Sequence, residues 1–116
     1  MKQESEFHLL DKLEWKQVTV GIRAGKAWEK ILSRDPDTGA HSRLYMLEPG
    51  CETDTVLTHD FWEEVYILEG SLVDTRLRDR EFVAGSYACR PPGMVHGPYK
   101  APGGCKTFEV RYYSRE

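Results

Sequence analysis

Hydrophobic and polar positions along this chain change over in short runs, and proline or glycine closes nearly every run. Residues 28–33 read as a strand, and Asp35-Pro36-Asp37-Thr38-Gly39 as a turn, because proline fixes φ and glycine tolerates positive φ. Residues 42–48 form the return strand, stopped by Pro49-Gly50. Residues 63–68 give a third strand, after which Gly70 turns the chain into a further strand over 71–77. Arg78-Asp79-Arg80 is a charged turn, Ala84-Gly85 another break, and 86–90 a short strand before the rigid corner Pro91-Pro92-Gly93. A Pro/Gly loop over 100–104 leads to a last strand, 106–113, with Phe108, Val110 and Tyr112 on one face. Only residues 3–16 hint at a helical turn, since Phe7, Leu10 and Leu13 fall three apart. Many short strands with such punctuation predict an all-β sandwich or barrel.

At 116 residues the chain has room for one domain and one core. Its 30% charged and 40% hydrophobic content is ordinary for a globular protein. A net charge of −3 with no basic block argues against a nucleic-acid partner. The apolar runs fall far short of a membrane span, and the polar start Met1-Lys2-Gln3-Glu4-Ser5-Glu6 does not read as a secretory signal. Three widely spaced cysteines, Cys51, Cys89 and Cys105, do not suggest a disulfide framework and fit reduced thiols in a cytoplasm. Cys89 and Cys105 read as small buried apolar residues.

Two stretches carry the chemistry. The second is Gly85, five residues, Pro91, Pro92, Gly93, two residues, His96. The first is Gly50, then His59-Asp60-Phe61-Trp62-Glu63, six residues, Gly70. Together they resemble the two signature motifs of the cupin superfamily. The chain from about Trp28 to Tyr113 is similar to small single-domain cupins related to acetylacetone-cleaving and dihydroxyacetophenone-cleaving dioxygenases, and to the cupin domain of an anti-sigma factor. Supporting stretches are Trp28-Glu29-Lys30-Ile31-Leu32, Leu47-Glu48-Pro49-Gly50, Glu63-Glu64-Val65-Tyr66-Ile67-Leu68-Glu69-Gly70 and Arg90-Pro91-Pro92-Gly93. The first motif departs from the family pattern. Leu57 stands where the family's other histidine falls, and seven positions separate it from Gly50, one more than the pattern has.

The resemblance implies a cupin (RmlC-like jelly-roll) β-barrel over residues 28–116, with the segment 1–27 packing on the barrel or on a partner subunit in a homodimer. Phe7, Leu9 and Leu10 would serve such an interface. It also implies a divalent metal, iron before manganese, nickel or zinc, held by His59, Glu63 and His96. Imidazoles and a carboxylate suit those metals and leave positions open for substrate. His59 and Glu63 lie four apart on one strand and both point inward, while Glu64 faces out. Leu57, Phe61, Arg90 and Tyr99 are the expected pocket residues, Arg90 being suited to a substrate carboxylate. Surface pairing of Arg90 with an acid remains the alternative. His41 reads as a solvated strand-start residue, and His8 as part of the N-terminal segment. The implied activity is that of a metal-dependent enzyme, a dioxygenase, on a small carbonyl-containing or aromatic compound. Two alternatives stay open: a non-catalytic small-molecule-binding or regulatory cupin, favoured by Leu57, and a metal-assisted isomerase or hydrolase with Glu63 as general base.

Overall fold

The computed structural model describes residues 1–54 and 58–113. Ten strands are present among them: β1 (Lys16–Val18), β2 (Ile22–Ala24), β3 (Ala27–Arg34), β4 (His41–Leu47), β5 (Cys51–Thr53), β6 (Trp62–Asp74), β7 (Arg80–Val83), β8 (Tyr87–Arg90), β9 (Tyr99–Ala101) and β10 (Cys105–Tyr112). Every pairing is antiparallel. The order β1-β3-β4-β10-β6-β9-β5-β2, with β7 and β8 also on β6, wraps into a nearly closed barrel. No helix of the described residues is long and apolar enough to cross a membrane.

The long strand β6 belongs to both walls. Its first half pairs with β10 and β8, and its second half with β7 and β9. Gly70 does not end the strand, as the alternation suggested, but bends it. Its φ is +75°, and a Cβ there would overlap the carbonyl oxygen of Gly104. A register shift opposite Lys106/Thr107 also reverses the pleat. Glu63, Val65 and Ile67 are buried before the shift, whereas Leu72 and Asp74 are buried after it. One strand therefore feeds the interior with odd positions and then even ones. The expected strand over 71–77 stops at Asp74, whose carboxylate accepts from the amides of Arg76 and Leu77 and caps a 3-10 turn at Thr75–Leu77.

The N-terminal stretch forms no helix. Its local closure is a single turn, Leu13 N donating to Leu10 O at 3.1 Å. One turn fixes several dihedrals for one hydrogen bond, which is the unfavourable nucleation step without propagation. Instead the segment is tied to the barrel. Lys30 Nζ donates to Leu10 O at 2.9 Å and lies over the Trp15 ring, and β1 and β2 pair with β3 and β5. Phe7 and Leu9 remain exposed.

The interior has two halves. Ala27, Leu47, Cys51, Ile67, Leu72, Ala101 and Cys105 fill one end. Each large aliphatic side chain there contributes roughly 1.5–3 kcal/mol by leaving water. The other half is polar and buried: Arg43, Glu63, His96, Thr107 and Glu109. On β10 the apolar set Phe108, Val110 and Tyr112 faces outward, and Cys105, Thr107 and Glu109 face in. A strand whose polar face points inward needs partners for every charge, and the site supplies them.

Candidate metal and ligand site

Two loops are bound together at the polar end. Gly93 N donates to His59 O at 2.8 Å, joining the loop before β6 to the Pro-Gly corner after β8. Gly93 has φ +82°, which glycine tolerates without strain. This bond holds His59 and His96 together although 37 positions separate them; their ring centroids are 5.2 Å apart. His59 is a loop residue and not part of β6, which begins at Trp62. His96 likewise sits in the loop between β8 and β9. Glu63 comes from β6 itself, and one donor atom from each of His59, Glu63 and His96 lies within 4.8 Å of the others.

Glu63 is gripped from both sides. Arg90 is its direct cross-strand partner on β8 and Arg111 its partner on β10. Arg90 Nη1 donates to Oε1 at 2.6 Å and Arg111 Nε to Oε2 at 2.7 Å. Burial pushes the Glu63 carboxyl up, but Arg111 and then Arg90 outweigh it and hold it below the usual carboxylate range. One row deeper, Arg43 donates to Glu109 and Glu29, and Thr107 donates to Glu109 at 2.8 Å. Arg90 Nη2 donates to the Tyr99 hydroxyl at 2.7 Å, and Arg90 Nε is buried with no hydrogen-bond partner among the described residues.

Both histidines are held neutral. Burial, then the charge of Arg90, pushes His96 down to about 4. Burial also lowers His59; Glu63 opposes this, and Arg111, Arg90 and Arg43 add to it. His96 Nδ1 lies 3.4 Å from Met94 O, an atom that can only accept. The proton therefore belongs on Nδ1, and Nε2 carries the lone pair. Phe61 stacks on His59 with centroids 4.6 Å apart and lies beneath the Arg111 guanidinium.

A cavity of about 220 Å³ opens onto this cluster, and His59, Glu63, His96, Arg90 and Tyr99 all line it. Phe61, expected on the pocket wall, stands behind His59 instead. Leu57 lies outside the described residues. Glu64 faces away and accepts from Tyr87 and Tyr112 hydroxyls on the outer face. Arg90 is an inward residue, not a surface one, and its acid is Glu63. Cys89 is exposed, contrary to expectation, because β8 turns Ala88 and Arg90 inward and its neighbours out; Cys105 is buried as expected. His41, at the start of β4, donates from Nδ1 to Gly39 O at 2.9 Å and does not line the cavity. Arg43, Glu109 and Arg111 also line the cavity and were not singled out from the sequence. The signal was available: Thr107, Glu109 and Arg111 repeat every second residue against an apolar set in opposite phase.

A family model described as the ChrR cupin-like domain matches residues 3–112. Among curated proteins none matches the chain. Among solved structures, an acetylacetone dioxygenase from Acinetobacter johnsonii superposes with TM-score 0.74 at 14% identity, over 98% of this chain and 80% of that one. An RmlC-like cupin from Shewanella frigidimarina gives 0.71 at 21% identity, over 100% and 97%. The Rhodobacter sphaeroides structure of SigE with the anti-sigma ChrR gives 0.65 at 20% identity, over 90% of this chain and 52% of that one. At these identities the likeness establishes the fold.

Proposed function

The chain belongs to the ChrR cupin-like domain family, and we propose that it is a metal-dependent enzyme acting on a small carbonyl-containing or aromatic compound, as a dioxygenase. The observation that carries this reading is the convergence of His59, Glu63 and His96 on one cavity, with their donor atoms within 4.8 Å. Two imidazoles and a carboxylate on one side of a divalent ion leave positions open for substrate. The donor set fits such an ion. Both imidazoles are neutral near pH 7, His96 is oriented by Met94 O, and each Glu63 oxygen keeps a lone pair beyond its arginine bond. When bound, the metal supplies Lewis acidity toward a substrate oxygen and, as iron, a place for dioxygen. Arg90 and Arg111 fix the carboxylate, and Val65 and Leu72 keep the wall apolar. The test is oxygen uptake by iron-loaded protein given acetylacetone, a probe taken from the similar dioxygenase. Uptake that needs both iron and the diketone supports the reading; iron binding without uptake on diketones or catechols removes the dioxygenase part.

A second reading has its own observation. The two arginines already neutralise Glu63, so the cluster is stable without an ion. That favours a ligand-binding cupin with no metal. Metal analysis separates the two.

A further inference from the structure

We infer that the cavity recognises a small carboxylic acid bearing an aryl or alkyl group, with the acid on Arg111 and the apolar group in a second chamber beyond Arg90. The inference deepens the reading of the same site and rests on it for the location of the ligand.

Arg111 carries the first half of the argument. It spends Nε on Glu63, and its Nη2 is 3.8 Å from Glu109 Oε1, beyond hydrogen-bond reach. Among the described residues neither terminal nitrogen makes a hydrogen bond, yet the side chain is only 21% exposed and lines the cavity. A guanidinium with a free terminal edge is the geometry that takes a carboxylate through two parallel N–H bonds. Charge points the same way. Arg43, Arg90 and Arg111 line the cavity and are matched by Glu63, Glu109 and, just outside the lining, Glu29 on Arg43. A divalent ion at the histidines would tip this balanced set to net positive, and an acidic ligand would offset that charge where a neutral one would not.

The second chamber carries the other half. A cavity of about 160 Å³ adjoins the first and shares Val65, Leu72, Arg90, His96 and Tyr99 with it. Beyond that partition its wall includes Ile67, Phe82, Ala88, Met94 and Val95; Asp74 and Arg76 also border it, but the Asp74 carboxylate is engaged by the Arg76 and Leu77 amides and Arg76 by the Gly97 and Val95 carbonyls. An apolar chamber behind a polar one fits a ligand with an acidic head and an apolar body.

The test is calorimetric titration with phenylacetate, phenylacetamide and acetate, on protein with and without added iron. Wild type should bind phenylacetate at least about tenfold tighter than the amide, which lacks the charge, and than acetate, which lacks the ring. Arg111→Gln should bring acid and amide together, and Arg111→Lys, which keeps the charge without the fork, should recover only part of the difference. Ala88→Leu fills the second chamber without touching the ligating residues, and should bring phenylacetate down to acetate. Equal binding of acid and amide by wild type overturns the inference, as does acid binding unchanged in Arg111→Gln and Arg111→Lys, or no binding of any probe. Iron content measured on the same samples keeps the two readings apart. Acid selectivity without iron uptake ends the metal reading alone; iron uptake without acid selectivity ends this one alone.

Discussion

Glu63 and Arg90 are direct partners across the β6–β8 ladder, both on the inner face, with Arg90 Nη1 2.6 Å from Glu63 Oε1. The next strand on the other side brings Arg111 to the same carboxylate, so β8, β6 and β10 lay an Arg–Glu–Arg row across the barrel wall. The carboxylate is 3% exposed, and removing its charge would strand two guanidiniums out of water. Glu63→Gln should therefore destabilise the fold by about 3 kcal/mol or more. In a chain of this length that lowers the melting temperature by roughly 10 °C. Glu64→Gln, on the outer face, should cost less than about 1 kcal/mol. Thermal melts of the two variants at one pH make the comparison; equal losses would mean that the Glu63 row contributes no more than a surface pair.

Acid should weaken the fold before the carboxylates titrate. His96 is held down at about 4 by burial and by Arg90, against about 6.5 in an unfolded chain. Between those values the unfolded chain binds a proton that the native one does not, so stability rises with pH across the window and is lost on acidification. Above about 6.5 the group adds no penalty; by pH 4 it adds roughly 3 kcal/mol. Glu63, whose folded value is depressed, acts in the same direction at lower pH. Urea unfolding of metal-free protein between pH 7.5 and 4.5 should show this slope, and His96→Asn should reduce it, leaving the smaller part of the same sign that the lowered His59 contributes. A wild-type stability constant over that range contradicts the assignment.

How much of this the sequence carried depends on the residue. The strand cores and the turns at Asp35–Gly39 and Pro49-Gly50 were legible because Pro/Gly punctuation encodes them locally, whereas the pairing of His59 with His96 followed from the resemblance to the two cupin motifs. The course of β6 was not. Gly70 looks like a terminator from its neighbours, and only the Gly104 carbonyl, distant in sequence, shows that it is a bend. For Glu109 and Arg111 the alternation was visible, but which phase faces inward was not. On β10 the apolar phase looked like the core face, and the inward polar phase is affordable only because Arg43 and Glu63 arrive from other strands to meet it.

Two glycines with similar backbone angles should behave differently. Gly70 has φ +75° and no room for a side chain, whereas Gly39 has φ +82° and nothing within 4 Å. Gly39→Ala should cost about 1–2 kcal/mol, the left-handed strain alone. Gly70→Ala adds a backbone collision and should cost about 3 kcal/mol or more. Denaturant midpoints of the pair decide it; a Gly70→Ala protein as stable as Gly39→Ala would show that the strand is not held against Gly104.

Thiol accessibility checks the orientation of β8. Cys89 is exposed while Cys51 and Cys105 are buried, and burial pushes the Cys105 thiol up to about 12. Ellman's reagent should titrate one thiol in the native protein and three after denaturation. More than one fast-reacting native thiol would contradict the packing of the apolar half.

The central claim is that His59, Glu63 and His96 form one metal centre. The most direct measurement is elemental analysis of the protein purified without chelators and then exposed to iron, manganese, nickel or zinc, beside His96→Ala treated identically. The account predicts close to one equivalent of a divalent metal in the wild type and loss of most of it in His96→Ala, because two remaining ligands hold a first-row ion poorly. A wild type that takes up none of the four metals, or a His96→Ala protein that keeps its full complement, would contradict it.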